Sequence, residues 1–133
     1  MSEKKRRSKL ESKFEDILIT NKVEYEYETI KIPYVVPESN HNYIVDFSTP
    51  NGIQWEVKGW LSDYQERQKY ILVKQQNPEV DLRFVFDNTQ KLCGGTKMTH
   101  AKWCDKYGFK YCSVKDTDII QEWINENGKD ISN

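Results

Sequence analysis

The chain has 133 residues, 37% hydrophobic and 31% charged, with a mean hydropathy of −0.85. That length supports one modest core, and no run approaches the ~18 apolar residues of a membrane span. Net charge is −1, so the chain is no polycation, and three cysteines in no framework spacing exclude a disulfide scaffold and suit a reducing cytoplasm.

The first residues, MSEKKRRSK, are basic and lead into no apolar segment, so residues 1–8 read as an arm rather than a secretion signal. Ser8 followed by Glu11 is a capping-box pattern. Leu10, Phe14, Ile17 and Leu18 then recur at helical spacing, which predicts a helix from Lys9 to Thr20. Val23 to Ile32 alternates and is rich in β-branched and aromatic residues, so it reads as a strand. Pro33 and Pro37 bracket an extended Tyr34-Val35-Val36 that continues neither a helix nor a central ladder.

Tyr43–Ser48 and Ile53–Trp60 are the next strands, joined through Pro50-Asn51-Gly52. A three-residue hairpin loop needs two right-handed residues and then a left-handed one, and Pro, Asn and Gly supply them in that order. Ser62 to Gln65 reads as a second capping box, opening a helix to Gln76 that Pro78 stops. Leu82–Phe86 is a short buried strand, Cys93–Lys97 a glycine-containing loop, and Thr99–Tyr107 a helix closed by Gly108. Phe109–Ser113 reads as an edge strand and Thr117–Asn127 as a last helix. The sum is one small mixed α/β domain over residues 1–133.

The chemistry concentrates in Val45-Asp46-Phe47 and Trp55-Glu56-Val57-Lys58. On a strand Glu56 and Lys58 share a face. A three-residue loop sets Asp46 directly across from Glu56, whereas a four-residue loop pairs Asp46 with Trp55 and turns it away; the turn chemistry favours the first. Two close carboxylates repel, and burial makes the repulsion worse unless a cation lies between them. A hard divalent ion, Mg²⁺ in the cell, fits such a site; it would polarise a phosphodiester and activate water, with Lys58 holding that water or neutralising developing charge. The bland alternative is a surface hairpin with a cross-strand Glu–Lys ladder.

Asp46…Glu56-Val57-Lys58 resembles the PD…(D/E)xK core of the restriction-endonuclease-like superfamily. A longer series of ordered marks runs through Glu24-Tyr25-Glu26-Tyr27-Glu28, Ile32-Pro33-Tyr34-Val35 and Pro37-Glu38-Ser39-Asn40-His41. It continues through Pro50-Asn51-Gly52-Ile53, Asn77-Pro78-Glu79 and Glu122-Trp123-Ile124. Together these resemble the phage endonuclease I family of junction-resolving enzymes over about Ser8 to Trp123. The resemblance implies a restriction-endonuclease-like mixed β-sheet flanked by helices in a domain-swapped homodimer. It also implies metal-dependent hydrolysis of four-way (Holliday) junctions and other branched DNA, in the cytoplasm of a host cell.

Under that resemblance the catalytic set is Glu11, Asp46, Glu56 and Lys58. Asp46, Glu56, Glu11 and the Val57 carbonyl hold Mg²⁺, for which Mn²⁺ substitutes. Residues 33–41 become a bridge between swapped halves, placing the Glu11 helix of one chain against the Asp46–Lys58 hairpin of the other. Two departures are visible: Val45 stands where the broad motif has proline, and Gly128–Asn133 carries no basic tail. A sequence-specific restriction-type endonuclease and a non-catalytic branched-DNA-binding dimer are the alternatives.

Other residues read more plainly. Cys93, His100, Cys104 and Cys112 lack the tight pairs of a zinc site, so buried thiols and a surface histidine are expected. Trp55 and Trp60 read as core, and His41 as a hydrogen-bonding partner of its turn. Arg67, Lys69 and Lys74 could join the basic arm in meeting phosphates.

Overall fold

The computed structural model describes residues 8–36 and 39–127. The basic residues Lys4–Arg7, Pro37 and Glu38 of the expected bridge, and Gly128–Asn133 lie outside the described residues. In chain order the elements are α1 (Lys9–Thr20), β1 (Glu26–Tyr27), β2 (Lys31–Val36), β3 (Ser39–Ile44), β4 (Phe47–Ser48) and β5 (Ile53–Lys58). Then follow α2 (Tyr64–Gln76), β6 (Asp81–Phe86), α3 (His100–Tyr107), β7 (Lys110–Ser113) and α4 (Thr117–Ile124). A five-stranded mixed sheet runs β1-β4-β5-β6-β7, antiparallel up to β5 and parallel beyond it; β2 and β3 form a second, two-stranded sheet.

Alternation along the central strands sorts the core onto both faces. Ile53, Trp55 and Val57 of β5 meet Phe14 and Leu18 of α1 and Ile120 and Trp123 of α4. On the other face Leu82, Phe84 and Phe86 of β6 meet Tyr70 and Val73 of α2 and Trp103 of α3. Glu56, between Trp55 and Val57, therefore points at α2.

The hairpin register follows the turn. Phe47 pairs with Trp55 and Ser48 with Gln54, which puts Asp46 across from Glu56. Gly52 takes a φ of 94°, the left-handed conformation that closes the loop. Asn51 pins it: its Nδ2 donates to the Trp123 carbonyl at 2.9 Å, and its Oδ1 accepts from Ile53 N at 3.3 Å.

Several elements differ from expectation. The strand expected over Val23–Ile32 is divided, because Glu28 adopts a φ of 55°. Glu28 N donates to the Asp46 carbonyl, yet Val45 N donates to Ile30, so the pairing slips by one residue there. This is a β-bulge with a glutamate in the left-handed position that usually falls to glycine. It also divides the strand expected over Tyr43–Ser48, passing its first half to β3 in the second sheet.

Pro33–Val36 is extended, as the bracketing prolines require, and pairs as part of β2 with Asn42–Ser39. The helix α2 begins at Tyr64 with Asp63 as its N-cap, without a side-chain cap hydrogen bond, rather than at a Ser62 box. Ser62 is held by packing: a Cβ on Gly94 would lie 2.0 Å from the Ser62 carbonyl oxygen.

His100 is fully buried, not a surface residue. Its Nε2 accepts from Leu61 N at 3.1 Å and its Nδ1 donates to the Asn88 carbonyl at 2.9 Å, which defines a neutral tautomer that burial favours further. Arg67 is likewise buried, donating to the carbonyls of Leu61 and Gly94, so it offers no charge to a phosphate. Trp60 is 46% exposed rather than core; its Nε1 donates to the Leu92 carbonyl. All three departures belong to one loop contact, in which residues 88–94 pack on residues 60–62.

Candidate active site

Four segments converge at the end of the β4–β5 hairpin. Asp46 occupies the break between β3 and β4, where its Oδ2 accepts the backbone N–H of Val57 at 2.9 Å. That N–H lies beyond the two-residue β4, so a side chain takes the place of the missing ladder bond. Burial first and the nearby Glu56 charge second push the Asp46 carboxyl up to about 9.

Glu56 is buried, and both of its oxygens accept phenolic hydrogens. Tyr43 donates to Oε1, and Tyr70 donates to Oε2 at 2.9 Å. Desolvation still raises its carboxyl, against the opposing pull of Lys58 and the two hydroxyls. The Lys58 ammonium stands 3.8 Å from Glu56 Oε2 and 2.5 Å from Glu66 Oε2 on α2. Burial works against its charge, but Glu56 and Glu66 more than offset that and hold the ammonium more firmly protonated.

Glu11 arrives from the first turn of α1. Its capping box with Ser8 is formed, with Ser8 Oγ accepting from Glu11 N at 3.0 Å and a longer return contact of 3.4 Å. The same carboxylate accepts from Tyr27 OH at 2.9 Å and faces Asp46, so cap and site roles coexist. Single carboxylate oxygens of Glu11, Glu28 and Asp46 all lie within 4.8 Å of one another.

Such an all-oxygen set of like charge is chemically suited to a hard divalent cation, which would relieve both the repulsion and the burial cost of Asp46. Glu11 and Asp46 are thus brought together with Glu28, while Glu56, across from Asp46 in the hairpin, and Lys58 face Glu66 and Tyr70 of α2. Among the described residues the cysteines are buried and free, and His41 shares a 2.8 Å hydrogen bond with Ser39 and stacks on Tyr34.

Sequence reasoning missed Glu28, Glu66 and the tyrosines Tyr27, Tyr43 and Tyr70. The bulge that aims Glu28 has no periodic signature. Glu66 and Tyr70 were findable in part, since positions four apart share a helix face.

The sequence model described as Phage endonuclease I matches residues 2–133. "Endonuclease I" of Escherichia phage T7 is 42% identical over 127 residues, covering 94% of this chain and 82% of the relative. "Endodeoxyribonuclease 1" of Enterobacteria phage T3 is 42% identical over 106 residues, covering 79% of this chain and 69% of that relative. With a family match across almost the whole chain and relatives this similar, the chain belongs to the phage endonuclease I family.

Proposed function

We propose that this chain is a divalent-metal-dependent endodeoxyribonuclease that cuts branched DNA, four-way junctions above all. It would work in the host-cell cytoplasm, with a PD-(D/E)xK-type site on a restriction-endonuclease-like sheet. The observation that carries the proposal is the pairing of Asp46 across from Glu56, with Lys58 two residues on and Glu11 facing Asp46. The names of the phage relatives, an endonuclease and an endodeoxyribonuclease, support the same reaction class.

Asp46, Glu56, Glu11 and the Val57 carbonyl would hold Mg²⁺, with Mn²⁺ as a substitute. The ion, when bound, supplies Lewis-acid polarisation of the phosphodiester and a more acidic water. Asp46 is anchored for this by Val57 N–H, and Glu56 by two phenols, so neither carboxylate needs to reorganise when charge develops. Lys58, kept protonated by its carboxylate neighbours, orients the attacking water and neutralises the phosphorane-like charge. A binding-only dimer is disfavoured, because a buried Glu56 beside a half-buried Asp46 destabilises the fold and serves no purpose in plain phosphate binding.

The dimer we propose is domain-swapped. The β2–β3 pairing runs from Lys31–Ile44 to Val36–Ser39. In that dimer β2 of one copy would meet β3 of a second in the same register, and a two-fold axis would repeat the contact. The α1–β2 half would then dock on the neighbour's hairpin through the contacts it makes here within one chain.

The test is cleavage of a four-way junction against a linear duplex of matched sequence, with and without Mg²⁺. Junction cutting that requires Mg²⁺ and exceeds duplex cutting by ~100-fold or more is expected. Equal cutting of both substrates would refute the structure selectivity, and cutting in chelator would refute the metal dependence.

A further inference from the structure

Lys58 is placed by a residue that no catalytic motif contains. Its ammonium lies 2.5 Å from Glu66 Oε2 but 3.8 Å from Glu56 Oε2, so the helix carboxylate, not the neighbour on its own strand, sets its position. Glu66 and Tyr70 stand one turn apart on α2, and the Tyr70 hydroxyl lies 3.0 Å from that same Glu66 oxygen and 2.9 Å from Glu56 Oε2. One phenolic hydrogen is therefore shared between two carboxylates, while Lys58 is drawn to the outer of them. A lysine has four rotatable carbons and a compact charge. Without Glu66 its ammonium would settle on Glu56, the nearest remaining carboxylate, whose oxygens already take hydrogens from Tyr43 and Tyr70.

We propose that Glu66 is a positioning residue that draws the Lys58 ammonium beyond hydrogen-bonding distance of Glu56 and aims it at the reacting phosphate. This rests on the nuclease function proposed above. Lys58 is 24% and Glu66 20% exposed at the side chain, so the pair sits at the wall of the site rather than in the core. Glu66 also lines an open cleft with Tyr34, Asp63 and Lys69, through which a DNA strand could approach.

The experiment is a double-mutant cycle read in single-turnover junction cleavage, with junction affinity measured in parallel without Mg²⁺. In the otherwise wild-type protein Glu66→Ala should slow cleavage ~10- to 100-fold with affinity changed less than ~3-fold. Glu66→Gln, which keeps an acceptor oxygen, should recover part of the rate. In a Lys58→Ala background Glu66→Ala should cost less than ~2-fold further, because the group it positions is gone.

A readout independent of activity is the Lys58 ammonium signal in ¹H–¹⁵N spectra of the metal-free protein, identified by its loss in Lys58→Ala. It should shift or vanish by exchange in Glu66→Ala and persist in Glu66→Gln. Equal slowing by Glu66→Ala in both backgrounds, a wild-type rate for Glu66→Ala, or an unmoved ammonium signal would each overturn the role. A wild-type protein that does not cut, or a Lys58→Ala protein that cuts at the wild-type rate, overturns the nuclease assignment itself and this role with it.

Discussion

The Asp46 carboxylate accepts the backbone N–H of Val57 at 2.9 Å, just beyond the point where β4 has run out. One interaction thereby closes the frayed hairpin and fixes the first carboxylate of the site. It does so in surroundings that disfavour the charge Asp46 must carry, since burial and Glu56 both raise its carboxyl.

That conflict has a pH signature in metal-free protein. The Asp46 pKa moves from 3.8 in the unfolded chain to about 9 in the fold. Its contribution to stability is therefore complete below pH ~4 and is lost as pH rises through the folded value. Asp46→Asn keeps an acceptor for Val57 N–H and removes the charge. In chelator the variant should gain stability over wild type by on the order of 1–3 kcal/mol at pH 8 and by much less at pH 5. Thermal melts at the two values check this, and a gap independent of pH would contradict it.

His100 should matter to the fold and not to the chemistry. It joins Leu61 N to the Asn88 carbonyl and stacks on Phe86, with ring centroids 4.4 Å apart. His100→Ala leaves a buried donor and acceptor unpaired beside a cavity, for a loss of roughly 2–4 kcal/mol in denaturant melts. Because burial lowers its pKa, the stability it supplies is present above pH ~6.5 and declines as pH falls. Junction cleavage by the folded fraction should stay near wild type.

Composite sites can be tested by complementation. Glu11→Ala and Glu56→Ala chains refolded together from denaturant give a heterodimer to be isolated. If halves exchange through β2 and β3, one site carries both lesions and the other none, so the heterodimer should nick one strand of a junction. If each chain builds its own site, both sites are damaged and a correctly folded heterodimer should be dead.

Much of the site was legible because its determinants are local. Pro50-Asn51-Gly52 supplies the turn conformations that put Asp46 across from Glu56, and Ser8 with Glu11 marks the start of α1. What was not legible depends on contacts distant in sequence. Glu28 reaches Asp46 only through a bulge with a left-handed non-glycine residue, which alternation cannot signal. Tyr43 and Tyr70 look like ordinary core positions until the fold turns their hydroxyls onto Glu56. His100, Arg67 and Trp60 were misjudged for one reason: the packing of residues 88–94 on residues 60–62 decides which of them is covered.

The most direct test concerns Glu56 itself. Glu56→Gln keeps the size of the side chain and its capacity to bond Tyr43 and Tyr70, yet removes the charge that would hold a cation. Single-turnover cleavage of a four-way junction in Mg²⁺ should fall by ~1,000-fold or more, while junction affinity measured without Mg²⁺ stays within ~3-fold of wild type, because phosphate contacts elsewhere carry binding. A folded Glu56→Gln protein that still cuts at near the wild-type rate would contradict the assignment.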